Sequence, residues 1–125
     1  MNELVCRNGV GGSAGETDRI NAQGEVLVCE VADLDNITIL AIQATDAGTC
    51  TLTVEKSFDG VQFVPVGATI AESGFAAGAN TAVERTLSDS NGMPLVAKQV
   101  RLSGTALAGG GVYKLQVCGK KRPGL

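Results

Sequence analysis

Hydrophobic and polar residues alternate along much of this chain, and a repeat of two is the repeat of a β-strand. The clearest stretch covers residues 49–58 and reads TCTLTVEKSF. Its apolar residues share one face, and they are Cys50, Leu52, Val54 and Phe58. The stretch 112–118 alternates too, and its inward set is Tyr113, Leu115 and Val117. Both stretches therefore predict strands with one face in a core.

Seven segments of this kind are separated by turn residues at intervals typical of all-β domains. They lie at 25–33, 36–45, 49–58, 61–66, 81–88, 95–103 and 112–118. No stretch keeps apolar residues at the helical spacing for three turns, and a helical turn fits best within 68–79. The pattern predicts an all-β fold, an antiparallel, jelly-roll-like β-sandwich of seven to eight strands.

The same pattern divides the chain into three parts. Residues 1–24 predict an extended N-terminal arm, because they are rich in glycine and polar residues from position 8 onward. Residues 25–118 form the β-sandwich domain, and 125 residues with 44% apolar content suit a single core. Residues 119–125 form a short basic C-terminal tail with the sequence GKKRPGL.

Asp59 and Gly60 lie between two of the predicted strands. Asp-Gly is a strong hairpin signal, because both residues tolerate positive φ. The pair therefore predicts a two-residue turn, and Asp59 is interpreted as a turn residue rather than as a catalytic or ligand-binding residue. Pro65 has no amide hydrogen, so the returning strand is predicted to lie at a sheet edge or to end near that residue.

The hairpin carries a resemblance to a known class of protein. The string TLTVEKSFDGVQFVPVG, from Thr51 to Gly67, resembles the hairpin of small β-sandwich modules in tailed-phage virions, notably capsid decoration or cement proteins. Similar Ser-x-Asp-Gly hairpins occur in discoidin-like and other sandwich domains that bind sugars or lipids. The resemblance to virion proteins implies a structural protein whose glycine-rich arm and C-terminal tail bind neighbouring subunits.

Groups for catalysis or metal binding are scarce in this sequence. The chain has no histidine, which excludes imidazole acid–base chemistry and the Ser-His-Asp and Cys-His arrangements. GVGGSAG at 9–15 is glycine-rich, but no helix pattern follows to bind a dinucleotide. DLDN at 33–36 and DSNG at 89–92 offer oxygen ligands, but neither completes a calcium loop. We expect no catalytic site, no cofactor and no metal.

The four cysteines fall into two pairs by position. Cys29 and Cys50 share faces with aliphatic residues, so they are interpreted as reduced core thiols or, alternatively, as an internal disulfide. Cys6 lies at the start of the arm and Cys118 faces outward at the end of the last strand. These two are the candidates for an intermolecular disulfide, either between copies or to a protein partner.

The net charge and the aromatic content of the chain limit the classes of partner that it can bind. The net charge is −3 and the basic residues are scattered, which argues against a nucleic-acid partner. No stretch has the length of a signal peptide or a membrane span, so we expect a soluble protein with no membrane partner. Three Phe, one Tyr and no Trp leave few rings to stack on sugars.

The function favoured by the sequence is structural. We expect a protein that binds and stabilises a viral capsid surface as a homo-oligomer, specifically a homotrimer. It would be made in the host cytoplasm and located on the virion. Its partners are the major capsid protein or another repetitive protein surface, and further copies of itself. One alternative is a carbohydrate- or receptor-binding module of the same fold, with Tyr113, Phe63 and Phe75 as its platform. Another is a small hydrolase that uses paired carboxylates.

Overall fold

The computed structural model describes residues 3–11, 18–87 and 97–122, and these form ten β-strands. The strands are β1 (Leu4–Asn8), β2 (Val10–Gly11), β3 (Val26–Glu30), β4 (Leu34–Thr45), β5 (Thr49–Ser57), β6 (Val64–Pro65), β7 (Ile70–Ala71), β8 (Thr81–Thr86), β9 (Gln99–Ala108) and β10 (Val112–Lys121). Within these ranges one 3-10 turn, Glu72–Gly74, lies in the stretch 68–79, where the sequence fits either a helical turn or a loop. No helix in these ranges is long and apolar enough to cross a membrane.

The strands form two antiparallel sheets. One has the order β1-β10-β4-β8, and the other has the order β2-β3-β9-β5-β6, with β7 also paired to β5. The predicted all-β sandwich is therefore confirmed. The pairing partners are far apart in sequence, which is why the two sheets cannot be assembled from neighbouring hairpins alone.

The core lies between the two sheets and is mostly aliphatic. Each long strand contributes alternate residues, as its sequence pattern predicts. Leu52 and Val54 on β5 and Leu115 and Val117 on β10 all belong to this core, and all four are almost fully buried. Burial of these faces is the main stabilising term, because apolar area removed from water contributes about 25 cal/mol per Å².

The N-terminal residues pair with the sandwich of their own chain. β1 pairs with β10 in the four-stranded sheet, and β2 pairs with β3 in the other. Residues 4–11, which we call the strap, thus cross from one sheet to the other at the same edge of the sandwich. The extended arm predicted over 1–24 is therefore part of the sandwich at these residues and pairs with its own chain, and residues 12–17 lie outside the described ranges.

Specific contacts hold the strap in place. Gly9 is the crossing point, and a Cβ there would come within 2.8 Å of Leu115 Cβ and 3.0 Å of Leu27 Cβ. Arg7 donates two hydrogen bonds of 2.7 Å to the Asp33 carboxylate. Further along, Ile20 is fully buried and exchanges backbone hydrogen bonds with Tyr113.

The last strand is longer than the sequence pattern indicated. β10 continues to Lys121, and Arg122 Nε donates to Asp35 Oδ1 at 2.8 Å. The sandwich therefore includes part of the segment 119–125 that was predicted as a tail. Gly119 permits this extension, because a Cβ there would lie only 2.9 Å from the Asp35 carbonyl oxygen. Residues 123–125 lie outside the described ranges.

Candidate functional site

The turn between β5 and β6 is built around Asp59. Its Oδ1 accepts hydrogen bonds from the amides of Val61 (2.8 Å) and Gln62 (2.9 Å) and from Ser57 Oγ (3.0 Å). Gly60 has a φ of +81°, which favours glycine. The connection spans residues 58–63 and is therefore longer than the two-residue turn expected from Asp59-Gly60.

Ser57 reverses the alternation of β5 at this turn. Ser57 is 1% exposed, and its hydroxyl accepts a 2.8 Å hydrogen bond from the Gly60 amide. Because Ser57 takes the inward position, the next residue turns to solvent, and Phe58 is 61% exposed. The expectation that Phe58 faces the core is therefore wrong. No signal in the alternation itself indicated that a serine would replace an aromatic ring at this inward position.

Phe58 borders a shallow pocket of about 200 Å³. The pocket, which we call the Phe58 pocket, is lined by Lys56, Phe58, Asp59, Gln62 and Val64. It combines an aromatic ring and an aliphatic side chain with an ammonium group, a carboxylate and an amide. Sites for small polar ligands commonly have this composition, with apolar surface for contact and a few polar groups for orientation.

The charged groups of the Phe58 pocket are fixed by local contacts. Lys56 Nζ lies 5.4 Å from the centre of the Phe58 ring, within the range of a cation–π interaction. The hydrogen bonds from Gln62 and Val61 lower the pKa of Asp59, which is therefore ionised at neutral pH. The pocket thus presents both an anion and a cation beside an exposed ring.

The aromatic residues that were expected to form a sugar platform do not form one. Tyr113 is 0% exposed and Phe75 is 7% exposed, and their ring centres lie 5.7 Å apart within the core. Phe63 is partly buried, and the Arg101 guanidinium covers its ring at 3.9 Å. Phe58, which was assigned to the core, is the one of the four aromatic residues, all within the described ranges, that is exposed.

A second depression of about 140 Å³ lies on the four-stranded sheet. It is lined by Asn8, Asp18, Ile42, Lys114 and Leu115. No aromatic side chain lines it, and Leu115 is almost fully buried. The Phe58 pocket is therefore the better candidate for ligand binding.

Cys6 and Cys118 form a disulfide within one chain. They are direct cross-strand partners on β1 and β10, with Cα atoms 4.1 Å apart. This differs from the hypothesis of a bridge between chains, because pairing of the strap with its own sandwich brings the two thiols together. The disulfide ties the strap to the edge of the four-stranded sheet.

Cys29 and Cys50 are free and buried in the structure. On β9 their partners are Val100 and Leu107, seven positions apart, which corresponds to roughly 23 Å along a strand. A disulfide between them is excluded by this separation. Burial raises the pKa of the Cys29 thiol to about 11 and also raises that of Cys50, so both thiols have low reactivity.

The two carboxylates of the DLDN stretch, which was considered for metal binding, form ion pairs with arginines. Asp33 and Asp35 of the DLDN stretch bind Arg7 and Arg122, respectively. Within 3–11, 18–87 and 97–122, no three His, Cys, Asp or Glu residues cluster as metal ligands. The DSNG stretch at 89–92 and most of GVGGSAG lie outside the described residues.

Comparison with known proteins gives structural matches only. No protein-family model and no curated protein matches this chain. A xylan-binding module, CBM15, superimposes with a TM-score of 0.53 and 10% identity, over 95% of this chain and 97% of that one. The CBM32 of AlyQ in complex with 4,5-unsaturated mannuronic acid gives 0.52 and 13%, over 90% and 92%.

A third solved structure is a truncated AlyQ with CBM32 and alginate lyase domains. It gives a TM-score of 0.55 and 12% identity, over 96% of this chain but 35% of that longer one. These three structures are carbohydrate-binding or carbohydrate-cleaving proteins rather than virion proteins. At such low identity, what they share with this chain is the fold: the protein is a β-sandwich of the architecture found in carbohydrate-binding modules.

Proposed function

We propose that this chain is a non-catalytic carbohydrate-binding module and that the Phe58 pocket is its binding site. The observation that carries the proposal is the exposed Phe58 ring, held out of the core beside polar side chains. The shared fold with sugar-binding modules supports the same function. The sequence interpretation had placed this function second, behind attachment to a capsid.

The chemistry of the pocket suits a sugar ring. A pyranose presents a face of C–H groups that packs on an aromatic ring, while its hydroxyls require hydrogen-bonding groups around the edge. In this pocket Phe58 supplies the ring and Gln62 supplies an amide. The second carboxylate oxygen of Asp59 can accept from a hydroxyl, because the turn hydrogen bonds described above all go to Oδ1.

The shape of the pocket predicts weak binding. A single phenyl ring and a depression of about 200 Å³ bury little ligand surface compared with an enclosed site. We expect a dissociation constant of about 10 μM to 1 mM for a single site, which corresponds to roughly 4–7 kcal/mol. A polymer of repeated sugar units would show a higher apparent affinity, because the protein can bind any of several units on the same chain.

Glycan binding by the purified protein tests the proposal. A glycan array identifies ligands, and isothermal titration then measures the dissociation constant for wild type and Phe58→Ala. We expect Phe58→Ala to weaken binding at least tenfold and Phe58→Trp to retain it. Leu4→Ala is the matched control, because Leu4 is also exposed (69%) but lies on the strap. No glycan binding by the wild type, or equal binding by Phe58→Ala, would contradict the proposal.

Attachment to a viral capsid is the second candidate. It is favoured by three neighbouring exposed apolar side chains, Phe58, Val61 and Val64, since such clusters also mark protein interfaces. In this proposal the protein acts on the virion as a homo-oligomer and contacts the major capsid protein. Co-sedimentation with capsids tests it, and Phe58→Asp should abolish pelleting. Glycan binding without pelleting would favour the first candidate.

A further inference from the structure

In the described part of the chain, some basic side chains are paired with carboxylates, and others, including two beside the β5–β6 turn, are not. Arg7, Arg101 and Arg122 each bind a carboxylate of the same chain. Lys56 and Lys98, in contrast, make no ion pair within the described residues. Their ammonium groups are therefore the cations near this turn that an external anion can reach.

Both lysines are positioned by the turn itself. Lys56 belongs to β5, lines the Phe58 pocket and stands over the Phe58 ring. The backbone amide of Lys98 donates to the Ser57 carbonyl at 2.8 Å, at the base of the turn. The Lys98 side chain then runs along the turn, because a Cβ at Gly60 would lie 3.6 Å from both its Cδ and its Nζ.

The carboxylate of Asp59 only partly offsets these charges. Two backbone amides and a hydroxyl already stabilise its Oδ1. At the turn itself two ammonium groups stand against one carboxylate, with a further carboxylate, that of Glu30, held nearby by a 2.6 Å hydrogen bond from Gln99 Nε2. The whole chain carries a net charge of −3. An acidic protein repels polyanions in general, so two ammonium groups beside an aromatic ring point to a particular ligand chemistry.

We propose that the Phe58 pocket selects acidic polysaccharides, those whose sugar units carry carboxylates. This inference rests on the proposed function above and adds the substrate class. A uronate ring packs its C–H face on Phe58, and its carboxylate lies towards Lys56 or Lys98. Neutral polysaccharides lack the charged group and bind more weakly at the same ring.

The test compares one polymer in two charge states. Polygalacturonate and its carboxyl-reduced, neutral form share linkage and length, so only the carboxylates differ. We expect the anionic form to bind at least tenfold tighter, and its affinity to fall as salt is raised. Lys98→Gln, whose side chain lies outside the lining of the Phe58 pocket, should weaken binding of the anionic form about three- to tenfold and leave binding of the neutral form unchanged. Lys56→Gln should weaken binding of the anionic form by at least as much. Lys120→Gln, on β10 in the other sheet, is the control and should change neither.

The outcomes separate the two proposals. Equal binding of both polymers, still lost in Phe58→Ala, overturns the preference for acidic sugars and leaves the carbohydrate-binding function intact. Anionic binding that persists in Phe58→Ala and falls equally in Lys120→Gln reflects diffuse charge and also overturns the inference. Absence of binding to every glycan and polysaccharide contradicts both.

Discussion

Removal of the Cys6–Cys118 disulfide should destabilise the protein strongly without preventing it from folding. The bridge joins positions 112 residues apart, so it closes a loop of nearly the whole chain. In the chain-entropy treatment, a loop of about 100 residues corresponds to about 4.7 kcal/mol of stabilisation, which acts by restricting the unfolded chain. Measured values are often smaller, and we expect a loss of about 3–5 kcal/mol.

The double variant Cys6→Ser, Cys118→Ser isolates this effect. Cys6 is exposed and Cys118 is partly exposed, so neither serine adds a cost of burying a hydroxyl. Urea unfolding followed by circular dichroism measures the free energy of unfolding, and the midpoint of thermal unfolding should fall by about 10–20 °C. A reducing agent should lower the stability of wild type to that of the double variant.

The remaining cysteines supply the matched control. In a Cys29→Ala, Cys50→Ala protein the effect of the reducing agent should persist in full, because Cys29 and Cys50 are free thiols. A stability loss below about 1 kcal/mol in the Cys6→Ser, Cys118→Ser variant would refute the reasoning. So would a dimer on non-reducing electrophoresis that disappears with reductant, since that result would place the bridge between chains.

Three further changes test other parts of the fold. Gly9→Ala should cost about 1–3 kcal/mol in urea unfolding, because the new Cβ meets Leu115 and Leu27 at the crossing of the strap, and an unchanged midpoint would show that the strap does not pack there. Arg7 lowers the pKa of Asp33 to about 2, so this pair stabilises the fold fully above about pH 5 and loses its effect progressively as the pH falls through about 2. Asp33→Asn should therefore cost about 1 kcal/mol at pH 7, allowing for solvent screening, and much less near pH 2; an equal loss at both pH values would contradict the ion pair. Tyr113→Phe should change stability by less than about 1 kcal/mol, because its buried hydroxyl has no well-aligned hydrogen bond among the described residues and only a weak interaction with the Cys50 thiol, and a larger loss would indicate a stronger one.

Much of the sandwich could be predicted, because the alternation of apolar and polar residues along a strand shows which side chains are buried. The inward residues predicted for β10, Tyr113, Leu115 and Val117, are all buried. Pro65 lies on β6, an edge strand, as its missing amide hydrogen requires. These features depend on the local period of the chain or on one residue's backbone chemistry, and both can be read without knowledge of the partners.

The strap could not be predicted in this way. Its long inward-facing polar residue, Arg7, binds the carboxylate of Asp33, which lies 26 positions away. A pattern that compares neighbouring residues gives no indication of so distant a partner. β9 extends past the predicted end at residue 103 for a related reason. Gly104 is normally unfavourable in a strand, but here a Cβ would lie 2.8 Å from Ile20 and from Leu107, so close packing requires glycine.

The candidate site was missed because one hydrogen bond decides it. By period, residues 56 and 58 share the inward face of β5, and a phenyl ring gains more from burial than a hydroxyl does. The Ser57 hydroxyl, however, accepts a hydrogen bond from the backbone amide of Gly60. Without the Ser57 hydroxyl in this position, the Gly60 amide would lose this partner. An unpaired buried amide costs about 1–3 kcal/mol, comparable to the gain from burying a large apolar side chain. The turn therefore exposes Phe58.

The strap, which stabilises the fold, and the Phe58 pocket, which is the proposed binding site, lie at opposite edges of the sandwich. The strap and its disulfide lie beside β3 and β10, whereas the Phe58 pocket adjoins β6, three strand positions from β3 in the same sheet. Three strand spacings correspond to about 14 Å, beyond the range at which substitutions usually couple. The Cys6→Ser, Cys118→Ser variant should therefore bind glycan with the wild-type dissociation constant at temperatures where it is folded. If affinity instead fell together with stability, the strap would have to order the β5–β6 turn through the core, and a rigid, locally built pocket would be the wrong description.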